Sequence, residues 1–277
     1  MTELRARTAY WQSSMEQAAE FMLGLTELQI DECGEPLVPI LPRSDDPDTP
    51  LIVAEANDAG HGPGIAYIRS GLLEPLYGVA RKLRSLGLLL RVEHSYRSPG
   101  MQVDLILSPV LLDRVVEMVM DETTARPEAE LIYRRALGLI ACTYRHGTHI
   151  SGSAVDTSII DLSTGEEVDR GGKYMALTEI TPMDSPFVSP QARENRLRIT
   201  EVFNEFGFVA YPFEFWHYCQ GDVIEQRVNR TRRPARYGPV TRSPGGSVIP
   251  VDPDAEIVPM SLILSRIENR IATYFDT

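Results

Sequence analysis

The chain reads as an α+β domain in which helices pack on a small antiparallel sheet, and three observations lead there. Apolar residues recur at helical spacing in several stretches, short runs rich in strand-favouring residues lie between them, and proline or glycine punctuates the junctions. With 277 residues and 43% hydrophobic content, there is enough material for one large domain, or for one domain with extensions at both ends. The expected division is an N-terminal helical extension over 1–60, a core over 61–222, and an arginine-rich loop with a C-terminal helix packed on the core over 223–277.

Residues 8–24 look helical, with Tyr10, Trp11, Phe21 and Met22 as apolar anchors. Leu72, Leu76, Val79, Ala80 and Leu83 repeat at helical spacing, and Gly87 ends that helix before a strand from Leu88 to Tyr96, which delivers Arg97 at its end. Two helices follow, from Pro109 to about Asp121 and from Pro127 to about Tyr144, each opening with a proline suited to a first turn. The segment Ala154 to Leu162 reads as a strand with a Thr164-Gly165 turn behind it. Ser189-Pro190 starts a helix with Ile199, Val202, Phe203 and Phe206 on one face, Gly207 stops it, and Phe208 to Tyr211 form a strand. Ile263, Ile267, Ile271 and Tyr274 stripe a last helix. Both terminal stripes are read as core; if they meet a partner instead, a homodimer is the default.

A net charge of −12 argues against nucleic acid and anionic membrane as partners, because the positive surface they require is missing. Arg227, Arg230, Arg232, Arg233, Arg236 and Arg242 form a local exception, read as a surface loop pairing with the chain's own carboxylates. No secretory signal is visible and no apolar run approaches the roughly 20 residues of a membrane span, so a soluble, cytoplasmic protein is expected. Cys33, Cys142 and Cys219 form no close pair and no C-x-x-C motif, which suits a reducing compartment.

The chemistry concentrates in two stretches, His149-Ile150-Ser151-Gly152-Ser153-Ala154-Val155-Asp156 and Glu214-Phe215-Trp216-His217. A catalytic zinc usually takes three protein ligands and leaves its fourth position to water, whose pKa then falls to roughly 7. Imidazole nitrogen and carboxylate oxygen both suit that ion. A further carboxylate must take the proton from the water and return it to the leaving group. His149, Asp156 and His217 are therefore assigned as ligands of one zinc per chain, and Glu214 as general base and acid. His61, His94 and His146 are left as structural or surface residues. Cys219 could share the face of His217 if that segment is a strand, but is read as a small buried hydrophobe, since a fourth ligand would close the water's position. Positions 214 and 217 would fall on opposite faces of a flat strand, so a bend or bulge near Phe215 is expected.

With these residues the chain resembles the M15 zinc peptidases, whose pattern is S-x-H-x-x-G-x-A-x-D followed by E-x-W-H. The resemblance includes Tyr96-Arg97-Ser98-Pro99 and Phe206-Gly207-Phe208-Val209 leading into Tyr211-Pro212, and covers roughly residues 65 to 220. Gly147 stands where the family has serine, and Phe215 where dipeptidases often carry another tryptophan. The resemblance implies a zinc D,D-peptidase fold, with Arg97 stabilising the tetrahedral intermediate. Among the branches the chain looks most like the D-alanyl-D-alanine dipeptidases of the VanX kind, so a small D-amino-acid peptide is the expected substrate. D,D-carboxypeptidases or other muropeptide hydrolases are the near alternative; a zinc hydrolase of a non-peptide amide and a non-catalytic metal-binding module are the more distant ones. Asp184 or Glu179, in the loop from 169 to 190 that departs from the family, could pair the substrate's ammonium.

Overall fold

A computed structural model describes residues 3–41, 51–54, 66–123, 125–243 and 245–275. Helix α1 (Glu3–Leu23) is followed by the short strands β1 (Leu37–Pro39) and β2 (Leu51–Val53). Strand β3 (Tyr67–Arg69) leads into helix α2 (Ser70–Ser85), and Gly87, with φ +77°, turns the chain into β4 (Leu88–His94). Helices α3 (Pro99–Ile106), α4 (Pro109–Glu122) and α5 (Ala129–Leu139) come next, then a single helical turn, α6 (Thr148–Ser151). Strand β5 (Ala154–Asp161), helix α7 (Pro190–Glu205) and strands β6 (Val209–Ala210) and β7 (His217–Cys219) complete the central part. Helix α8 (Val223–Val228), the hairpin β8 (Val240–Arg242) and β9 (Val248–Pro250), and helix α9 (Met260–Phe275) close the described chain.

Three helices start by one device. Ser98, Ser108 and Ser189 each precede a proline, and each side-chain oxygen accepts the amide of the residue three positions on, at 3.3, 3.4 and 3.0 Å. The serine satisfies an amide that the helix leaves free, and proline at the first position loses nothing by having none. The first of these helices, α3, is absent from the sequence reading although it carries the same signal. The helix expected to run to about Tyr144 stops at Leu139. Beyond it the backbone pairs instead with 255–257, through Tyr144 N to Ala255 O (3.2 Å) and Ile257 N to Cys142 O (3.1 Å), so tertiary pairing overrides the helical pattern.

The main sheet has the order β2-β4-β5-β7-β6 and is antiparallel except for the edge pair β2/β4, which is parallel. The expected antiparallel sheet is thus joined by one parallel strand from the N-terminal region. One face of the sheet packs on α2 and α7 through Leu72, Leu76, Val155, Ile159, Phe203 and Phe208. A second core lies among α1, α4, α5 and α9, where Trp11, Met15, Val115, Ala136, Ile263 and Ile267 are buried. Trp11 and Met22 of the first stripe and Ile263, Ile267 and Ile271 of the last are therefore covered within the chain, while the side chain of Tyr274 lies outside the described residues. Arg236 pairs with Glu35, while Arg227 and Arg242 lie over the rings of Phe21 and Tyr67. Among the described residues, no helix is long and apolar enough to cross a membrane. His61 lies outside the described residues.

Candidate active site

Strand alternation gives β5 two environments. Val155 and Ile159 enter the core against α2 and α7, and Asp156 between them turns to the opposite face, where it is only 2% exposed. Directly across the sheet from Asp156 stand His94 on β4 and His217 on β7, so three polar residues form one row on that face. His149 reaches the same point from α6. Gly152, with φ +71°, caps that turn in the left-handed conformation and sends the chain straight into β5.

His149 Nε2 lies 3.2 Å from Asp156 Oδ1 and 3.2 Å from His217 Nδ1, and the last two atoms are 3.1 Å apart. Bonds of roughly 2.0–2.1 Å to one tetrahedral ion set its ligand atoms about 3.3–3.4 Å apart, so this near-equilateral triangle fits a divalent transition metal. The tautomers agree with that fit. His149 Nδ1 is 2.8 Å from the Ser95 carbonyl, to which it can only donate, leaving Nε2 its lone pair. His217 Nε2, 3.3 Å from Thr148 Oγ1, donates there in the tautomer that leaves Nδ1 free to bind. The second oxygen of Asp156 accepts from Arg97 Nη2 (3.0 Å) and from the Tyr174 hydroxyl (3.2 Å).

Glu214 Oε2 lies 3.9 Å from His217 Nδ1, beside the triangle. The expected bend exists, and it is tighter than a bulge: β6 ends at Ala210, β7 begins at His217, and two successive turns between them are closed by Glu214 N to Tyr211 O (3.3 Å) and His217 N to Glu214 O (3.2 Å). Burial pushes the Glu214 carboxyl up to about 7, against the pull of His217 and Arg97. Burial and the Arg97 charge lower His149 to about 4. Burial alone would raise Asp156, yet the two imidazoles hold it well below the usual carboxylate range.

These side chains line a cavity of about 90 Å³ that also takes in Trp216, Met175, Leu177, Tyr211 and His146. A second cavity of about 480 Å³, lined by His94 and Tyr174, meets it at Arg97, Leu105 and Met175. Met175 (φ +62°) and Leu177 (φ +41°) hold left-handed backbone conformations that side chains disfavour, and strain of this kind gathers at functional sites.

The fold brings together His149, Asp156, His217, Glu214 and Arg97. Asp184 requires correction. It is exposed, accepts from the Tyr10 hydroxyl at 2.9 Å, and is absent from the cavity lining; Glu179 likewise pairs with Arg7 at 2.5 Å. Both carboxylates fasten the loop to α1 instead of facing the cavity. Cys219 is buried in a cluster with Ala19, Met22 and Leu25, outside the triangle of His149, Asp156 and His217. His94 and His146, read as structural or surface residues, each line one of the two cavities. Ser95, Thr148 and Tyr174 escaped the sequence reading because their roles depend on contacts that no short motif encodes.

The family model of peptidase M15, described as D-ala-D-ala dipeptidase, matches residues 82–233. A D-alanyl-D-alanine dipeptidase of Enterococcus faecium is 33% identical over 75 residues, 27% of this chain and 37% of that protein. Another from Enterococcus faecalis is 30% identical over 71 residues, 26% of this chain and 35% of that protein. The chain thus spans little more than a third of these two relatives. A third, from Synechocystis sp., is 25% identical over 236 residues, 77% of this chain and 95% of that protein.

Proposed function

The chain belongs to the peptidase M15 family, and on that premise we propose that it is a zinc metallopeptidase that hydrolyses D-alanyl-D-alanine to two molecules of D-alanine. The observation that carries this reading is the triangle of His149, Asp156 and His217 atoms at 3.1–3.2 Å with the Glu214 carboxylate beside it. The three residues would hold one zinc, which when bound would supply Lewis acidity and bring a water's pKa down to roughly 7.

Glu214 takes the proton from the attacking water and later returns it to the leaving amine. Burial raises its pKa above the ordinary carboxylate value, which favours return of the proton in the donating step. Retention of this base speaks against a purely structural metal site. Arg97, anchored on Asp156 Oδ2 at 3.0 Å, offers its guanidinium to the oxyanion of the tetrahedral intermediate. Trp216 and Met175 wall the cavity. The location that goes with free D-Ala-D-Ala is the cytoplasm.

Incubation of zinc-loaded protein with D-Ala-D-Ala, its N-acetyl form, L-Ala-L-Ala and a pentapeptide stem tests the reading. Preferred release of D-alanine from the free dipeptide is expected. Preference for the acylated or pentapeptide substrate would move the protein to the D,D-carboxypeptidases, and no turnover of any would refute the activity.

A further inference from the structure

Two buried arginines meet at Phe215, the residue between Glu214 and Trp216. The guanidinium carbons of Arg170 and Arg196 lie over its ring, 5.0 and 4.4 Å from the centroid, and both side chains are almost wholly enclosed. Among the described residues neither forms an ion pair. Burial lowers the pKa of both, that of Arg196 to about 10 with the Arg170 charge adding to the shift, so each still carries its charge at neutral pH. A charge taken out of water needs other partners, and here they are backbone carbonyls and the face of an aromatic ring.

Those carbonyls are not scattered. Arg196, on α7, donates through Nε to the Arg170 carbonyl (2.7 Å), through Nη1 to Pro182 (2.7 Å) and Met183 (3.4 Å), and through Nη2 to Ile180 (2.7 Å). All four belong to the loop from 169 to 190. Arg170 in turn donates to the carbonyl of Phe215 at 3.2 Å and to that of Thr157 on β5. The stretch that Arg196 grips is also the one bonded to the turn between β6 and β7, through Phe215 N to Thr181 O (3.2 Å) and Met183 N to Pro212 O (2.9 Å). The same loop supplies Met175 and Leu177 to the cavity beside Glu214.

On the hydrolase reading above, we infer that Arg196 is a positioning residue for catalysis: from α7 it holds the loop and, through Phe215, the turn that carries Glu214 in one arrangement. Its planar fork is what the task requires, because one guanidinium can reach several carbonyls and lie flat on a ring at once. An ammonium keeps the charge but has neither the fork nor the flat face. A loosened turn displaces the base from the water that it must deprotonate, and small misplacements of reacting groups are costly in rate.

Arg196→Lys on the zinc-loaded full chain tests this with two readouts. Amide hydrogen exchange at Phe215 and Met183, the two N–H groups that join turn and loop, should speed up by roughly tenfold or more, with the amides of β4 and β5 unchanged. The kcat on D-Ala-D-Ala should fall by roughly 10–10², with zinc content unchanged and the loss in kcat larger than any rise in KM. Unchanged exchange at the two amides, exchange raised equally across β4 and β5, or a full kcat in a variant whose two amides are loosened would each overturn the role; the second of these would make Arg196 a general stabiliser only. If Arg196→Lys does not fold, Phe215→Leu, which removes the ring and leaves the carbonyl bonds, is read by the same criteria. If the parent protein hydrolyses nothing, exchange still decides whether Arg196 holds the turn, and the failure belongs to the proposed activity alone.

Discussion

Glu214 lies 3.9 Å from His217 Nδ1, beside the triangle of His149, Asp156 and His217 atoms, and the proposed reading makes it the base and not a fourth ligand. Glu214→Gln is therefore expected to keep its zinc and lose on the order of 10²–10⁴ in rate, whereas His217→Ala loses the metal itself; metal analysis alongside kinetics separates the two. Arg97→Ala should spare the metal and cost roughly 10²–10³ in kcat. His146 supplies a pH dependence of a different kind. Burial lowers its pKa from 6.5 to about 4, so the unfolded chain takes up a proton below pH 6.5 that the folded protein refuses. Stability from this residue is thus full above pH 6.5 and falls as the pH drops towards 4, by roughly 3 kcal/mol across that window. Urea unfolding of metal-free protein should show a shallower acid slope for His146→Gln than for the parent. Metal-free protein is required because protons also compete with zinc for His149 and His217.

At the scale of elements, the Ser189-Pro190 start and the Gly87 and Gly207 stops were read from the sequence while the same start at Ser98-Pro99 was passed over, and α2, α4 and α7 lie where the sequence pattern put them. The turn α6 was not legible. Four residues are too few for a periodic signal, and the turn exists because Gly152 redirects the chain and Ser151 Oγ bonds back to the Thr148 carbonyl. Close helix packing was equally hidden. A Cβ added at Gly138 of α5 would sit 2.5 Å from the Met15 carbonyl oxygen of α1, and backbone cannot step aside as a flexible side chain can. Gly138→Ala is expected to destabilise by about 1–3 kcal/mol, the usual cost of overpacking, seen as a lower Tm in calorimetry.

On the scale of the whole molecule, the three proposed ligands come from three elements, the turn α6, the central strand β5 and its neighbour β7, with His149 and His217 separated by 68 positions in sequence. An ion bound only by the folded chain stabilises it by mass action, about 4 kcal/mol when free zinc exceeds its Kd a thousandfold. Removing zinc with a chelator should lower Tm by several degrees, and readdition should restore it. An unchanged Tm would mean that the triangle holds no ion. Arg69 is a second fastening on the same scale. Fully buried, it bonds the Glu32 carboxylate and the Gly238 carbonyl, tying the N-terminal and C-terminal segments to the strand that precedes α2.

The sequence by itself determined which chemistry the chain carries. Two imidazoles, two carboxylates and an arginine lie in the order of a known family pattern, and those identities do not depend on distance. Only the tertiary structure decided which atoms face one another: that Nε2 of His149 meets Nδ1 of His217, and that Thr148 orients the ring of His217 and not its own neighbour's. It also decided that Asp184 turns to Tyr10 while His146 turns into the cavity. The physical reason is that a motif records residue types along the chain, whereas a side chain's partners are set by packing among elements remote in sequence. For a carboxylate in an irregular loop or a histidine outside a motif, no local rule carries that information.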